Sequence, residues 1–262
     1  MSSVATLHED LAARGRYVVT TDEIADLIGP SPNTSGRLVR LRRSGRLVSP
    51  AKGLYVVVPP EYRAWGAPPA EWFIDGMMAR LSRRYYVGLL TAAALHGAAH
   101  QAAQVYQVVV DKKLEDRDLG RVRLRFYQSS HLPDAIDARA VERRTSQTGY
   151  YQVSDRELTA IDLVEFQQVA GGLGNIATVL SELGQLRGDH LAQLTLARPK
   201  AVVRRLGWLL SRFSPETDVS SLRDAAAPDP SHPVPLDPGD DSGGPVDAAW
   251  GVAVNTEIEA DT

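Results

Sequence analysis

The pattern of apolar and polar residues in the first sixty positions predicts three short helices followed by two strands. The first helix covers residues 3–14, and the second runs from about residue 21 to residue 28. Thr20 and Glu23 open this second helix as a capping box, a pair of residues that satisfies the exposed amides of a helix start. The apolar residues lie on one side of each helix, at Val4, Leu7, Leu11, Ile24, Leu27 and Ile28.

A third, short helix is predicted between Ser31 and Gly45. Ser31 suits the N-cap, the proline after it suits the first turn, and Gly45 suits the C-terminal end. Helical spacing places Thr34, Leu38 and Leu41 on the buried face, with Arg42 near its border. The candidate contact residues of this helix and of the residues just after it are Asn33, Thr34, Arg37, Arg40, Arg43 and Arg46.

The segment RLVSPAKGLYVVV reads as two strands joined by a tight turn over residues 49–53. Three helices followed by a hairpin is the order of a winged helix-turn-helix, whose third helix enters the DNA major groove. The hairpin is then the wing, and Lys52 is its candidate contact to the DNA backbone. Residues 37–52 contain no acid, which favours nucleic-acid binding over the alternatives, a solvated basic face or a protein-interaction module.

The chain changes character at residues 59–69, which contain four prolines and read as a linker. We therefore predict a DNA-binding domain at 1–60 and a second domain at 61–262. The second domain should be α+β, with its strands in one block and helices around them. The predicted helices are 70–82, 85–99, 155–168, 173–187, 189–197 and 199–213, and the predicted strands are 104–111, 121–127 and 148–154.

The C-terminal residues combine a stretch rich in Pro, Gly and Asp with a clean alternation. Residues 214–247 are expected to form an extended connection. Residues 248–260 are expected to form a final strand that returns to the sheet. The alternation that predicts this strand places Trp250, Val252, Val254 and Ile258 on one face.

Composition excludes several classes of protein. The chain has 262 residues and no cysteine, so disulfides and thiolate metal sites are excluded and a reducing cytoplasm is the expected location. The sequence shows neither the pattern of a signal peptide nor an apolar stretch of about 20 residues, so no membrane association is expected.

The charge is distributed unevenly along the chain. Residues 214–262 hold one basic and eleven acidic residues, whereas the first 213 residues carry a net charge of +7.

No catalytic constellation is evident, and we expect neither an enzyme nor a metal or cofactor site. GGLGN at residues 171–175 lies between two helical segments, whereas the dinucleotide fingerprint follows a strand. His96 and His100 have the spacing of two metal ligands on a helix, but no acid lies near them, so core or surface histidines are favoured. The acids of residues 155–165 read as a helix cap followed by solvated positions.

Three further arginines alternate with apolar residues in the second domain. Arg121, Arg123 and Arg125 should project from one face of a strand. They are a candidate second basic contact, either for nucleic acid or for an acidic partner. The alternative is a solvated face balanced by the nearby Glu115, Asp116 and Asp118.

Four segments resemble the AbiEi-type antitoxins of the abortive-infection toxin–antitoxin systems. The segment RYVVTTDEIADLIG and the basic stretch after it resemble the N-terminal domain of that family, and YYVGLLTAAALHG resembles its second domain. YYQVSDRELTAIDLVEF resembles its strand-to-helix segment, and VPLDP with WGVAVNTEIEAD resembles its C-terminal ending. Together these segments reach across most of the chain and stand in the family's order.

The resemblance implies a two-domain antitoxin. Its winged helix-turn-helix would bind inverted repeats in promoter DNA and repress its own operon, with positive surface on both domains. Its second domain would counter a cognate nucleotidyltransferase-like toxin. The main alternative is a metabolite-responsive winged-helix repressor with a ligand-binding second domain. A nuclease fused to a DNA reader would need a clustered acid or histidine site.

Overall fold

The computed structural model describes residues 7–28, 34–98 and 104–258, with Ile28 described by its backbone alone. The chain divides into two compact units. We call residues 1–86, 104–129 and 143–152 the N-terminal unit. Residues 87–103, 130–142 and 153–262 form the C-terminal unit. Helices and strands of both units together make the α+β fold that the sequence predicts.

The N-terminal unit begins with short helices and a small antiparallel sheet. Glu23 and Thr20 form the predicted capping box, since the Glu23 amide donates to Thr20 Oγ1 at 3.2 Å and the Thr20 amide donates to Glu23 Oε2 at 2.7 Å. The sheet order is β1-β3-β2, an arrangement compatible with a winged helix-turn-helix. The elements are α1 (Leu7–Ala13), β1 (Val18–Thr20), α2 (Thr21–Ile28), α3 (Thr34–Arg43), β2 (Leu47–Ala51) and β3 (Leu54–Val57).

One hydrophobic core holds these elements together. Leu38 and Leu41 on α3 are both buried, at 3% and 6% exposure. They pack with apolar residues of the first two helices and of the sheet, as the helical spacing predicts. The fully buried partners are Leu7, Leu11, Val19, Ile24, Leu47 and Val57.

The segment predicted as a linker is packed through aromatic rings within the N-terminal unit. Tyr62 contacts the rings of both Trp65 and Trp72, and the Trp72 ring lies 4.9 Å from that of Tyr17. Short 3₁₀ turns at Pro60–Tyr62 and Ala70–Trp72 shape the segment. The compact N-terminal unit therefore continues through residue 86, beyond the predicted boundary at residue 60.

Residues 70–99 contain two helices, as predicted, but also a strand. Helix α4 covers Ile74–Leu81 and is followed by β4 (Tyr85–Val87) and α5 (Leu89–Leu95). The prediction of helix from residue 85 is therefore wrong. Tyr85, Tyr86 and Val87 are all buried, and aromatic and β-branched residues favour a strand that is covered on both faces.

The larger sheet has six strands in the order β6-β7-β5-β4-β9-β8. It is mixed, since β5 lies parallel to β7 and β4 lies parallel to β9, whereas β6 is antiparallel to β7. The sequence predicts β5, β7 and β9 but misses the edge strands β6 and β8. These two strands are rich in charged residues and show no clear alternation of apolar and polar positions. The further elements are β5 (Tyr106–Val110), β6 (Arg117–Leu119), β7 (Val122–Gln128), α6 (Leu132–Asp137), β8 (Val141–Ser146) and β9 (Gly149–Ser154).

Helices dominate the C-terminal unit, and the four predicted helices between residues 155 and 213 are present. Residues 214–247 are not the extended connection that the sequence predicts, because a helix forms within them. Its residues Leu222 and Ala226 are buried, so an apolar face rather than the surrounding Pro and Asp residues decides the structure. The helices are α7 (Arg156–Glu165), α8 (Gly172–Glu182), α9 (Gly188–Thr195), α10 (Lys200–Phe213) and α11 (Ser220–Ala226).

The C-terminal residues form a small sheet of their own in place of one long strand. Its strands are β10 (Val234–Pro235), β11 (Val246–Asp247) and β12 (Val252–Ala253), in the order β10-β12-β11. The predicted strand over 248–260 is thus reduced to two paired residues, and its last two positions lie outside the described residues.

Trp250 anchors this C-terminal segment. Its side chain is 2% exposed, and its indole N–H donates to Ser211 Oγ at 3.0 Å. The ring lies directly on Gly207 of α10, where a Cβ atom would approach ring carbons to 2.0 Å. The glycine therefore makes room for the tryptophan. The predicted burial of Trp250 and Val252 is confirmed, although their partner is a helix rather than the larger sheet.

Candidate nucleic-acid interface

Helix α3 presents a basic surface to solvent. Arg37, Arg40, Arg42 and Arg43 are all exposed, while Leu38 and Leu41 fix the opposite face in the core. Arg42 was predicted to lie near the buried border, but its side chain is exposed and belongs to the basic surface. The helix is ten residues long, about 15 Å, a length that fits the DNA major groove.

The middle of the exposed face carries a feature that the charge pattern did not reveal. Val39 is 43% exposed, on the same side of the helix as Arg40 and Arg43. An exposed valine on a reading helix can contact the methyl group of thymine. Gly36, one turn earlier, has no side chain and would allow a base or backbone to approach α3 closely.

The remaining predicted contact residues of this region lie at or near the two ends of α3. Gly45 stops the helix with a φ of +67°, and the Arg46 amide then donates to the Leu41 carbonyl at 3.0 Å, as in a glycine C-cap. Arg46 is half-buried and lies immediately before β2. Thr34 is the first residue of α3 and is half-buried, whereas Asn33 lies outside the described residues.

The cations of this surface lack acidic neighbours. Within the described ranges, no carboxylate lies within ion-pairing distance of the six residues Arg37, Arg40, Arg42, Arg43, Arg46 and Lys52. A solvated face would normally pair such charges in part. Unpaired, they produce a local positive potential that attracts a polyanion.

The turn between β2 and β3, which the sequence predicts to be a wing, has carbonyl groups that are held from three directions. The Thr21 amide donates to the Gly53 carbonyl at 3.0 Å. Arg80 of α4 donates through Nε to the Lys52 carbonyl at 3.1 Å, and Arg117 of β6 donates to the Pro50 carbonyl. These contacts are long-range, so the linear sequence gave no signal for them. They fix the turn and leave the Lys52 side chain exposed.

The three arginines of the second predicted basic contact differ in whether they are already paired with an acid. Arg125 is engaged, since its guanidinium lies 2.8 Å from Asp118 and 3.6 Å from Asp116, and its hydrogen bond with Asp118 raises its pKa. Arg121 and Arg123 are exposed, and no carboxylate in the described part of the chain pairs with either. Only these two remain available to a ligand.

An acidic cluster forms at the start of α7, and it is more buried than the sequence predicts. Asp155 and Glu157 are 3% and 4% exposed, and the oxygen and nitrogen atoms of these residues and His190 that could bind a metal lie within 4.8 Å of one another. Asp155 caps α7 by accepting from the Leu158 amide at 2.8 Å, as predicted. The prediction of solvated acids after this cap is wrong, because Glu157 lies in the protein interior.

A guanidinium is already bound to both carboxylates of this cluster. Arg187 lies 2.9 Å from Glu157 Oε2 and 3.3 Å from Asp155 Oδ2, and its backbone amide also donates to Glu157. Burial by itself raises the pKa of Glu157, but the hydrogen bonds from Arg187 outweigh it and lower that pKa overall. Burial raises the pKa of Asp155. The Arg187 side chain thus occupies the position that a cation would take beside both carboxylates.

A second buried ion network also contradicts the expectation of solvated acids. Asp162 is completely buried and lies 3.4 Å from Arg198, whose side chain is 2% exposed. Arg198 also contacts Glu165. These pairs link α7 to the residues between α9 and α10, and their role is structural.

The remaining predicted features also have structural partners. His96 Nε2 lies 2.7 Å from the Ser154 carbonyl, which accounts for this histidine without a metal, and His100 lies outside the described residues. GGLGN opens α8 and follows a helical turn rather than a strand, as predicted.

No helix in the described part of the chain has the length and apolarity to span a bilayer.

Two family models match the chain, one over its N-terminal residues and one over its central residues. Residues 9–58 match a model described as a transcriptional regulator, AbiEi antitoxin, and residues 86–212 match one for the AbiEi antitoxin C-terminal domain. The class of protein is therefore an antitoxin that is also a regulator. The chain belongs to the AbiEi antitoxin family.

A solved structure shares the fold. The crystal structure of the RV2827C protein from Mycobacterium tuberculosis matches with a TM-score of 0.68 at 16% identity, covering 95% of this chain and 90% of that one. A nucleotidyltransferase-like protein from Paracoccidioides brasiliensis matches with a TM-score of only 0.32 at 12% identity, over 59% of this chain and 90% of that one, a score too low to indicate a shared fold. Comparison with curated proteins gave no match.

Proposed function

We propose that this antitoxin represses its own operon in the cytoplasm by binding promoter DNA through α3 and the wing. The observation that carries the proposal is the set of six cations on and after α3 without carboxylate partners among the described residues. Arg37 and Arg40 face the major groove, and Arg43 and Arg46 face the DNA backbone. Lys52 contacts phosphates beside the wing.

The proposed operator is an inverted repeat. A single α3 reads only a few base pairs, so one copy gives little selectivity. Two copies on two half-sites multiply both the affinity and the discrimination. Arg121 and Arg123 supply additional phosphate contacts, whereas Arg125 does not, because Asp116 and Asp118 already pair with it.

The proposed partner in the toxin–antitoxin pair is a nucleotidyltransferase-like toxin. Family membership supports this pairing, and the second domain, proposed as residues 61–262, carries the protective activity. Full-length protein with the Arg40→Ala and Arg43→Ala changes tests whether DNA binding and protection are separate functions. It should no longer bind the operator but should still rescue cells that express the toxin. Loss of rescue by this variant, at normal abundance, would make repression the main protective mechanism.

Binding isotherms on promoter and scrambled DNA, across a salt series, test the DNA interface. Arg40→Ala should relax sequence preference, because a base-reading arginine contributes about 1–3 kcal/mol of discrimination. Lys52→Ala should weaken binding to both DNAs alike and lower the salt slope by about one. Arg125→Ala is the matched control and should change neither. Equal affinities for all three variants and the unmodified protein would overturn the interface.

A second candidate function also has support in the structure. A metabolite-responsive repressor needs a ligand cavity, and one lies beside α3. Its position differs from the second-domain pocket that the sequence-based alternative predicts.

A further inference from the structure

A cavity of about 550 Å³ opens beside the DNA-reading helix, within the N-terminal unit. Its volume falls in the range of pockets that hold small organic ligands, about 300–1,000 Å³. Three elements line it, and they contribute both apolar and charged groups. Helix α3 contributes Val39, Arg42 and Arg43, β2 contributes Leu47 and Val48, and β6 contributes Leu119.

The wall formed by β6 is held in place by a tight backbone contact. Gly120 follows Leu119 with a φ of +61°, and a Cβ atom there would lie 2.0 Å from the Trp65 carbonyl oxygen. The Arg121 amide donates to the same carbonyl at 2.7 Å. Gly66, next to Trp65, lines the cavity as well. The cavity therefore exists in the folded unit without any ligand-driven movement of this wall.

The chemistry of the lining selects an anion with an apolar body. Arg42 and Arg43 both line the cavity, and within the described ranges neither guanidinium group has a carboxylate partner. Guanidinium groups bind phosphate oxygens in a bidentate manner, and two of them match a divalent anion. Val39, Val48 and Leu119 provide the apolar walls.

We propose that this cavity binds an organic phosphate of about nucleotide size, and that its occupancy releases the protein from DNA. The two functions share residues, because Arg43 and the exposed Val39 belong both to the cavity and to the DNA-reading face. A ligand here would neutralise α3 and obstruct its approach to the major groove. The release of DNA rests on the proposed function, whereas ligand binding itself is independent of it.

Titration calorimetry with the full chain, in the absence of DNA, tests the site. ATP is the probe. Adenosine represents its uncharged part alone, and pyrophosphate represents its anionic part alone. ATP should bind saturably at one site per chain, and each half should bind at least about tenfold more weakly. A competition assay with labelled promoter DNA follows. At ten times its dissociation constant, ATP should raise the apparent dissociation constant for DNA roughly tenfold.

Two arginines of α3 provide matched variants. Arg42→Ala removes a cavity residue and should weaken ATP about tenfold. Arg40→Ala removes the same charge from the same helix outside the cavity lining, so ATP affinity should stay within about twofold while DNA affinity falls. Leu119→Trp narrows the cavity from its β6 wall without changing charge and should weaken ATP binding.

Each contrary outcome is decisive. The absence of saturable ATP binding at millimolar concentration overturns the site, as does pyrophosphate binding as tightly as ATP, which would indicate a surface for any polyanion. Equal losses for Arg42→Ala and Arg40→Ala would also overturn it. ATP binding that leaves DNA affinity unchanged preserves the site and refutes the release of DNA. A protein that binds ATP but no promoter DNA refutes the proposed function alone.

Discussion

The two compact units of this antitoxin carry opposite charge. The N-terminal unit has 20 basic and 12 acidic residues, a net charge of +8, and the C-terminal unit has 9 basic and 20 acidic residues, a net charge of −11. The near-neutral total of −3 hides this division. Residues 104–129, which the sequence groups with the second domain, lie in the positive unit. Charge thus follows the three-dimensional units rather than the order of the chain.

The units also differ in how their charges are held. On α3 the arginines are exposed and without acidic neighbours in the described residues, so they are available to a polyanion. In the C-terminal unit, Glu157 and Asp162 are buried and bound by Arg187 and Arg198. The exposed charges of one sign form the proposed binding surface, whereas the buried pairs connect helices. Four experiments can break or sharpen this contrast.

The largest effect is expected from Trp250→Ala. It removes a ring that is 2% exposed and packed on Gly207, and should destabilise the C-terminal unit by about 3–5 kcal/mol. Trp65→Ala in the N-terminal unit is the matched control, since that ring is 49% exposed, and should have a much smaller effect. Urea denaturation measures both. Similar losses would show that the exposed tryptophan is as important to stability as the buried one.

Arg187→Met is expected to destabilise the protein by about 1–3 kcal/mol, because it leaves the buried Asp155 and Glu157 without their cation. Arg125→Met breaks an ion pair with two exposed aspartates in the other unit, and should change stability by about 0–1 kcal/mol. Thermal and chemical denaturation compare them. An Arg187 variant as stable as the Arg125 variant contradicts the contrast between buried and exposed charge.

Arg80→Ala should weaken promoter binding by about threefold to tenfold, with little change in stability, because the Lys52 carbonyl loses its guanidinium partner and the wing turn loosens. Arg63→Ala is the control. It removes an equal charge from an exposed position of the same unit. If both variants lose the same affinity, Arg80 acts only through its charge.

The smallest expected effect is on the stability of the protein at acidic pH, through Glu157. The lowered pKa of Glu157 means that the unfolded chain binds its proton more readily, so the Glu157–Arg187 contact contributes fully above about pH 4.5 and is lost as pH falls through the folded pKa. Asp155, whose pKa is raised, contributes in the opposite direction. Glu157→Gln should therefore flatten the loss of stability below pH 4.5. Unfolding curves at several acidic pH values measure the slopes, and an unchanged slope for Glu157→Gln contradicts the assignment.

Local signals in the sequence predicted the N-terminal fold well. The capping box at Thr20 and Glu23, the glycine stop at Gly45 and the spacing of Leu38 and Leu41 each act within a few residues, so they can be read without knowing the fold. The strand β1 was missed because three residues are too few to show an alternation.

Features that depend on distant residues could not be predicted. The acids of α7 look solvated in sequence, and only the approach of Arg187 and Arg198 from later helices makes their burial possible. Trp250 alternates as in a strand, but Gly207 supplies the surface that it covers. In the candidate interface, the arginines of α3 followed from helical spacing. The support of the wing by Arg80 and Arg117 and the cavity beside α3 required the folded unit.

On the proposed DNA interface, the attachment of the wing links DNA binding to the folding of the N-terminal unit. The wing carbonyls are held by α2, α4 and β6 through Thr21, Arg80 and Arg117, so the wing is part of the folded core of its unit. Loosening of α4 or β6 would release the turn before the rest of the unit unfolds. On the proposed function, a molecule that starts to unfold in this way would already have lost its wing contact to DNA. Loss of the fold and release of the promoter would then be a single event.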